Sequence, residues 1–143
     1  MEEQEVKKPR ILIAEGDQDN RHFLTLYLKK YFSADTCDSA EGLYELLSQN
    51  NYDIILMDIA LKGNKDGIQL IQELKNNETY SQIPILCYTT FAMNRDRINA
   101  LNAGCDMYLT KPTDIKTLLY YLFTLLKKKG KNFTAPLING FAY

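Results

Sequence analysis

Short apolar runs alternate with amphipathic stretches along most of the chain. Residues 11–14 and 54–57 are apolar at every position, a pattern typical of strands that are buried on both faces of a sheet. Between such runs the apolar residues recur at helical spacing, and in residues 19–32 they predict one apolar helix face. That face consists of Phe23, Leu24, Tyr27, Leu28 and Tyr31. The alternation of strands and helices predicts an α/β fold with a parallel sheet covered by helices.

The pattern predicts five strands and five helices. The strands are predicted over residues 11–14, 34–37, 52–58, 85–88 and 107–110. The helices are predicted over residues 19–32, from the cap Ser39 through Leu47, over 68–74, over about 93–103 and from Asp114 through Leu126. We expect a short extension over residues 1–9 and one domain over 10–129. The remaining tail, 130–143, is expected to be too short for an output domain and to be either docked on the domain or disordered.

Composition narrows the class of protein. The chain has 143 residues, 45% of them hydrophobic and 24% charged, which fits one globular domain. The net charge of −1 disfavours a nucleic-acid partner, because such binding depends on basic residues that neutralise phosphates. The three cysteines form no CxxC pair and the chain has one histidine, which disfavours a zinc site. No apolar run approaches the length of a membrane span, so we expect a cytoplasmic protein without membrane insertion.

Polar side chains follow the ends of four predicted strands. Glu15 and Asp17 come after the first strand, Asp58 ends the third, Thr89 ends the fourth and Lys111 follows the fifth. Because the carboxyl ends of parallel strands meet at one edge of a sheet, we expect these groups to lie together. Carboxylate oxygens are ligands that Mg²⁺ prefers, and a carboxylate can act as a nucleophile towards phosphorus. A lysine and a hydroxyl group would then stabilise the charge on the phosphoryl oxygens.

These residues, in their sequence context, resemble those of the bacterial response-regulator receiver domain, over about residues 10–128. The segments that carry the resemblance are Ile11-Leu12-Ile13-Ala14-Glu15, Asp53-Ile54-Ile55-Leu56-Met57-Asp58-Ile59, Asp66-Gly67, Pro84-Ile85-Leu86-Cys87-Tyr88-Thr89-Thr90, Ala103-Gly104-Cys105-Asp106-Met107-Tyr108-Leu109 and Thr110-Lys111-Pro112. The resemblance is to stand-alone receivers of the chemotaxis-regulator kind. It implies a flavodoxin-like, doubly wound sheet of strand order 2-1-3-4-5.

The resemblance also implies the roles of the acidic residues. Asp58 would accept a phosphoryl group from a histidine kinase or a histidine phosphotransfer protein. Glu15, Asp58 and the backbone carbonyl of Ala60 would hold Mg²⁺. The chain would therefore act as a signalling switch of the two-component systems and not as an enzyme, apart from hydrolysis of its own acyl phosphate.

Further roles implied by the resemblance fall on residues after the fourth and fifth strands. Thr89 and Lys111 would bind the phosphoryl group, and Tyr108 would be the aromatic switch residue. Phe91, together with Ala60, would tune the hydrolysis of the acyl phosphate. The peptide bond before Pro112 would be cis. The face formed by the fourth helix, the fifth strand and the fifth helix would bind a downstream protein, with the chain a monomer or a weak dimer.

The chain departs from the family pattern directly after the first strand. The family usually carries two acidic residues there, and Gly16 replaces the second, which is ordinarily a direct Mg²⁺ ligand. Asp17 is a possible substitute ligand, because a glycine beside it permits unusual backbone angles. The alternative is a pseudo-receiver, that is, an interaction module that works without phosphorylation. The loop after Asp58 is one residue longer than the commonest form, and its Lys62 or Lys65 could place positive charge near the site.

Two other classes of protein fit the sequence less well. A phosphatase of the haloacid-dehalogenase type would need a general-acid aspartate two residues after its nucleophile, where this chain has Ala60. A nucleotide-binding flavodoxin-like protein would need a glycine-rich phosphate loop after the first strand, and none follows it.

Overall fold

The computed structural model describes residues 7–131 and Phe133, together with the backbone of residues 137–138 and 141–142. The parts of the predicted extension and tail at residues 1–6, 132, 134–136, 139–140 and 143 lie outside the described residues. Within residues 7–131 the strands are β1 (Arg10–Ala14), β2 (Ser33–Cys37), β3 (Ile54–Met57), β4 (Ile85–Thr89) and β5 (Met107–Thr110). The helices are α1 (Gln18–Leu28), α2 (Ala40–Gln49), α3 (Gly67–Lys75), α4 (Asn94–Ala103) and α5 (Ile115–Lys128).

The five strands form one parallel sheet in the order β2-β1-β3-β4-β5. The predicted α/β fold, its strand order and its five helices are confirmed. The chain crosses from β1 to β2 at one edge and then returns past β1 to β3, so the two halves of the sheet diverge between β1 and β3. In open α/β sheets of this kind, ligands bind at such a switch point, beyond the carboxyl ends of the strands.

Helices cover both faces of the sheet. Alternate residues of β1 point to opposite faces, so Ile11 and Ile13 pack with residues of α1 and α5. Leu12 and Ala14 pack with residues of α2, α3 and α4 on the other face. Every residue of β3 and β4 is buried, as expected for central strands of a doubly covered sheet.

Helix α1 differs from its prediction in length and in its buried face. It ends at Leu28 and not at residue 32, because the chain turns there and the N–H groups of Tyr31 and Phe32 both bond the Leu28 carbonyl. The turn brings Phe32 into the core, where its ring lies 5.1 Å from that of Phe123. Phe23, by contrast, is 54% exposed. Helical spacing correctly identified the apolar residues on one face of the helix. It could not show that other elements leave part of this face exposed to solvent.

A charged cluster ties the fold together at the amino-terminal edge of the sheet. Oδ2 of Asp106, in the turn before β5, accepts hydrogen bonds from Lys75 Nζ at 2.9 Å and from the Ile85 N–H at 2.8 Å. Its Oδ1 lies 3.1 Å from Lys129 Nζ. The cluster thus joins the ends of α3 and α5 to β4 and β5.

The tail contributes one element that the pattern did not predict. Leu137–Ile138 (β6) pairs antiparallel with Phe141–Ala142 (β7). Before it, Phe133 is half-buried and packs against the core layer that contains α1 and α5. In the part of the chain that the structure describes, the helices all fall short of the length and apolarity needed to cross a membrane.

Candidate functional site

Three charged side chains from different strand ends converge at the carboxyl-terminal edge of the sheet. Lys111 Nζ donates to Asp58 Oδ2 at 2.7 Å and also to Glu15 Oε2. Glu15 is only 3% exposed and Asp58 only 6%. They line a pocket of about 400 Å³ that opens at the switch point of the sheet. The expectation that the strand ends bring these groups together therefore holds for Glu15, Asp58 and Lys111.

The pKa values of the three groups are shifted in different directions. Burial raises the pKa of Glu15, and its hydrogen bond with Asp58 raises it further, so Lys111 offsets this only in part. Burial also acts to raise the pKa of Asp58, but its hydrogen bonds with Glu15 and Lys111 outweigh burial and leave that pKa below its ordinary value. Burial acts to lower the pKa of Lys111, yet hydrogen bonds to the two carboxylates raise it overall. The pKa of Asp58 is therefore lowered and that of Lys111 raised by their contact, whereas the pKa of Glu15 is raised.

Backbone N–H groups complete the hydrogen bonding of the two carboxylates. The Ala60 N–H donates to Asp58 Oδ1 at 3.1 Å, and the Asp17 N–H donates to Glu15 Oε1 at 3.2 Å. With Lys111 on the other oxygen of each group, all four carboxylate oxygens accept a hydrogen bond from the protein. The site is therefore organised around negative charge before any ligand enters it.

The loop between β1 and α1 is fixed by residues that the sequence argument did not single out. Arg21 Nη1 donates to the carbonyl oxygens of Glu15 at 2.9 Å and Gly16 at 3.2 Å. Asp17, the candidate substitute metal ligand, lines the pocket and also caps α1, because its Oδ2 accepts from the Asn20 N–H at 2.9 Å. An arginine four residues after a helix cap was the available signal, since that spacing returns its side chain to the loop.

The β4–α4 loop connects the remaining predicted residues. Thr89 is fully buried, and its hydroxyl oxygen accepts from the Phe91 N–H at 3.4 Å. Its hydroxyl proton remains able to donate, because a hydroxyl group is both donor and acceptor. The Tyr108 hydroxyl donates to the Phe91 carbonyl, so Phe91 connects Thr89 to Tyr108. Thr90, its neighbour in sequence, lines the pocket itself.

Tyr88 contacts both Lys111 and the segment that follows it. The lysine Nζ lies 5.4 Å from the centre of the Tyr88 ring, a distance at which the ring attracts the cation. The Tyr88 hydroxyl accepts from the Thr113 N–H at 3.2 Å and lies 3.3 Å from the Thr113 carbonyl. The peptide bond between Lys111 and Pro112 is cis. The segment that carries the lysine is thus held to β4 on both sides of the proline.

Lys62, in the β3–α3 loop, lines the pocket in front of Asp58, as one hypothesis from the sequence allowed. Its Nζ lies 3.5 Å from Asp38, and Lys65 Nζ lies 2.8 Å from Glu73, so both ammonium groups are paired with carboxylates other than Glu15 and Asp58. Ion pairs at exposed positions such as these are weak, so the pairing with Asp38 does not remove the Lys62 charge from the pocket.

Two glycines pack against the backbone near Ile59: Gly16 lies against Ala60, and Gly67 lies against Asp58. A Cβ atom at Gly16 would lie 2.6 Å from the Ala60 carbonyl oxygen, and one at Gly67 would lie 2.2 Å from the Asp58 carbonyl oxygen. Among the described glycines, the left-handed conformation occurs at Gly63, Gly104 and Gly130. Gly16 is not one of these left-handed glycines, so what it provides is space.

The oxygen donors at this edge suit a hard cation in type but are few in number. Asp58, Glu15 and Ala60 all line the pocket. Among the residues that the structure describes, no three His, Cys, Asp or Glu side chains are grouped so as to hold a metal ion. The two carboxylates and the Ala60 carbonyl, with the Asp17 carboxylate in the same lining, are oxygen donors chemically suited to Mg²⁺.

Comparison with known proteins identifies the family. The model of the response regulator receiver domain matches residues 11–123, and the chain belongs to that family. Among curated relatives, the chain is 33% identical over 122 residues to the response regulator ArlR of Staphylococcus saprophyticus, covering 84% of this chain and 53% of that protein. It is 29% identical over 119 residues to a probable transcriptional regulator, ycf29, of Cyanophora paradoxa, covering 82% of this chain and 56% of the relative. The chain thus spans about half the length of these relatives.

Solved structures agree with this assignment. A two-component response regulator from Clostridium difficile superposes with a TM-score of 0.77 at 31% identity, covering 85% of this chain and 98% of that one. The receiver domain of a sensor histidine kinase from Pseudomonas aeruginosa has a TM-score of 0.77 at 26% identity, covering 85% of this chain and 99% of that one. That structure has a magnesium ion coordinated in its active site cleft. The chain is therefore a receiver domain of two-component signalling.

Proposed function

We propose that Asp58 accepts a phosphoryl group from a phosphohistidine on a histidine kinase or a phosphotransfer protein. The observation that carries this proposal is the contact between Lys111 and Asp58, because it places an ionised carboxylate beside a fixed cation at the switch point of the sheet. The pocket in front of Asp58 is open enough, at about 400 Å³, to admit a phosphoryl group. The Asp58 carboxylate is therefore ionised, and the pocket makes it accessible to a phosphoryl group.

The transfer is a nucleophilic substitution at phosphorus. An oxygen of the Asp58 carboxylate forms a bond to phosphorus while the bond between phosphorus and the donor's imidazole nitrogen breaks, and that nitrogen keeps the electron pair. Lys111, already bound to Asp58, pairs with the negative phosphoryl oxygens. The Thr89 hydroxyl donates a hydrogen bond to one of them, and the Ala60 N–H supports the carboxylate. These donors are in place before the reaction, which lowers the cost of reorganising them.

In this proposal Mg²⁺ binds to Asp58, the Ala60 carbonyl and Glu15. When bound, it neutralises part of the charge on the phosphoryl oxygens. Lys111 occupies one oxygen of each carboxylate, so the ion and the lysine share them. Asp17 lines the same pocket and caps α1 through Oδ2, so its Oδ1 is a further candidate ligand for the ion.

The consequence of phosphorylation is a change in protein binding. Tyr108 is the switch residue, because its hydroxyl bond to Phe91 links β5 to the loop that carries Thr89. A phosphoryl group that recruits the Thr89 hydroxyl shifts that loop. Beside it, Met93 just before α4 and Ile98 and Leu101 within α4 are exposed apolar side chains that a downstream protein partner could contact. Ala60 and Phe91, both exposed, tune access of water to the acyl phosphate.

In this proposal the chain is a cytoplasmic switch, a monomer or a weak dimer, that catalyses at most the loss of its own phosphoryl group. The test is incubation with phosphoramidate and Mg²⁺, followed by intact mass measurement. Wild type is expected to gain one phosphoryl group and Asp58→Asn none. A wild-type protein that gains no phosphoryl group, or an adduct that survives in Asp58→Asn, would reject the assignment.

A second candidate, a receiver that binds its partner without phosphorylation, is favoured by one observation. All four oxygens of Glu15 and Asp58 already have donors within the protein, and Lys111 balances one of the two negative charges. The site is therefore stable without a phosphoryl group. Equal partner affinity in wild type, Asp58→Asn and Asp58→Glu would support this candidate, whereas a difference among them would reject it.

A further inference from the structure

The space beside Gly16 is filled by the loop after β3. A Cβ built on Gly16 would lie 2.6 Å from the Ala60 carbonyl oxygen and 3.4 Å from the Leu61 Cα atom. Non-bonded Cβ atoms do not approach a carbonyl oxygen this closely, so a side chain at residue 16 requires the loop to move. The contact is between two backbones, and neither can turn aside as a long side chain could.

Both sides of this contact are held by other interactions. Arg21 bonds the carbonyl oxygens of Glu15 and Gly16, which fixes the β1–α1 loop. The β3–α3 loop is fixed by the Ala60 N–H on Asp58 and, further along, by a bond from the Lys62 N–H to the Asp38 carbonyl at 2.9 Å. Displacing the loop at Ala60 would therefore disturb several hydrogen bonds as well as the carbonyl that faces the pocket.

The backbone conformation of Gly16 does not itself require glycine. Residue 16 is not among the left-handed glycines, so the φ angle leaves room for an ordinary residue. At such a position, replacing glycine by alanine normally stabilises a protein, because it restricts the unfolded chain. The contact with Ala60 opposes that gain. If Gly16→Ala lowers the free energy of unfolding, the glycine is needed because there is no space for a side chain. If it raises that free energy, the position does not require glycine.

We propose that Gly16 is a positioning residue, which lets the Ala60 carbonyl close the pocket beside Asp58. The longer β3–α3 loop and Gly16 then form a matched pair, in which the loop backbone occupies the place of the missing acidic side chain. An acidic residue restored at position 16 alone displaces Ala60, a proposed magnesium ligand, as it adds a carboxylate. Consequently Gly16→Asp does not restore tight Mg²⁺ binding. The part that concerns Mg²⁺ rests on the function proposed above.

The simpler view, in which Gly16 is only a lost ligand beside a free loop, makes the opposite predictions. On that view, Gly16→Asp binds Mg²⁺ at least tenfold more tightly than a variant that gains the same charge elsewhere in the pocket, and Gly16→Ala is as stable as wild type or more so. The two views thus predict opposite signs for the stability change in Gly16→Ala and different sizes for the gain in Mg²⁺ affinity in Gly16→Asp.

The experiment compares wild type with three variants, using calorimetric titration with MgCl₂ and equilibrium urea unfolding without metal. Gly16→Ala adds the Cβ atom without a ligand, and Gly16→Asp adds both. Asn20→Asp is the charge-matched control, because Asn20 lines the same pocket and is exposed, so that it gains the same charge without pressing on the loop. Neither readout involves a phosphoryl group, so failure here is distinguishable from failure of Asp58 as the acceptor.

We expect Gly16→Ala to unfold more readily than wild type, with its unfolding equilibrium constant raised about fivefold or more by the overpacked contact. We expect the Mg²⁺ dissociation constant of Gly16→Asp to stay within tenfold of that of Asn20→Asp. A tenfold tighter value, or a Gly16→Ala protein at least as stable as wild type, overturns the proposal. If Gly16→Asp is too unstable to titrate, its recovery of the folded state in saturating Mg²⁺ overturns it equally, and failure to recover supports it.

Discussion

The Lys111 ammonium nitrogen lies 2.7 Å from Oδ2 of Asp58, and the same nitrogen bonds the buried carboxylate of Glu15. The lysine side chain is 11% exposed, so the three charges interact with little screening by water. Their sum leaves one net negative charge at the carboxyl edge of the sheet when all three are ionised. Lys111 therefore keeps two neighbouring carboxylates together that would otherwise repel each other.

Replacing Lys111 by methionine should reveal this repulsion. The Lys111→Met protein is expected to lose about 2 kcal/mol or more of unfolding free energy, because removing one partner leaves the buried carboxylates uncompensated. Adding Glu15→Gln to it should recover part of the loss, since a single carboxylate then remains. Urea unfolding in the presence of a chelator measures both effects. Strict additivity of the two substitutions would contradict the proposed coupling.

Asp106 should stabilise the fold in a manner that depends on pH. Burial acts to raise its pKa, but the Ile85 N–H, Lys75 and Lys129 outweigh burial and leave the pKa below its ordinary value of 3.8. A depressed pKa contributes stability at pH above that value, and the contribution disappears as pH falls through the folded-state pKa. Asp106→Asn should therefore cost about 2 kcal/mol at pH 7 and much less at acid pH.

The control for this substitution is Glu78→Gln, which removes the same charge at an exposed position. It is expected to change the unfolding free energy by no more than about 0.5 kcal/mol at either pH. Thermal and urea unfolding between neutral and acid pH provide the comparison. An Asp106→Asn effect that is independent of pH would contradict the account.

Gly67 should tolerate no side chain. A Cβ atom there would lie 2.2 Å from the Asp58 carbonyl oxygen and 2.8 Å from the Ile59 Cα atom, both of them backbone atoms. Gly67→Ala is expected to destabilise the protein by about 2 kcal/mol or more. In Gly42→Ala the nearest atom to the added Cβ would be the Cys37 Cβ, at 3.0 Å, and no backbone atom would lie closer than 3.9 Å, so its cost should be smaller. The reverse order of stability in urea would contradict the packing described here.

The Tyr108 hydroxyl should hold the loop that follows β4. Tyr108→Phe removes its hydrogen bond to the Phe91 carbonyl, which should cost about 1 kcal/mol and loosen the loop locally. Hydrogen–deuterium exchange should therefore quicken in peptides spanning residues 89–93, while the central strands keep their protection. Unchanged exchange in that segment would show that the loop is held by other contacts.

The sequence was sufficient to predict the sheet and the convergence of Glu15, Asp58 and Lys111. Strands that are apolar throughout belong to a parallel sheet, and the carboxyl ends of its strands meet by geometry. The residues that follow such strands can therefore be grouped without knowing any distance. The same argument placed Thr89 at this edge, where the structure has it fully buried.

Contacts between distant backbones could not be predicted in this way. The closeness of Gly16 to Ala60 depends on how two loops pack, and no periodicity records it. The bonds of Asp106 to Lys75 and Lys129 likewise join the ends of separate helices. The exposed Phe23 shows the same limit, because a helical pattern identifies an apolar face but not what covers it.

The measurement that tests the central claim most directly is the mass of the protein after exposure to a small phosphodonor. Asp53→Asn is the matched control for Asp58→Asn, since Asp53 precedes the same strand and its carboxylate bonds the Arg10 N–H at 2.8 Å, outside the site. The account predicts one phosphoryl group on wild type and on Asp53→Asn, and none on Asp58→Asn. An unmodified wild-type protein, or an adduct retained in Asp58→Asn, would contradict it.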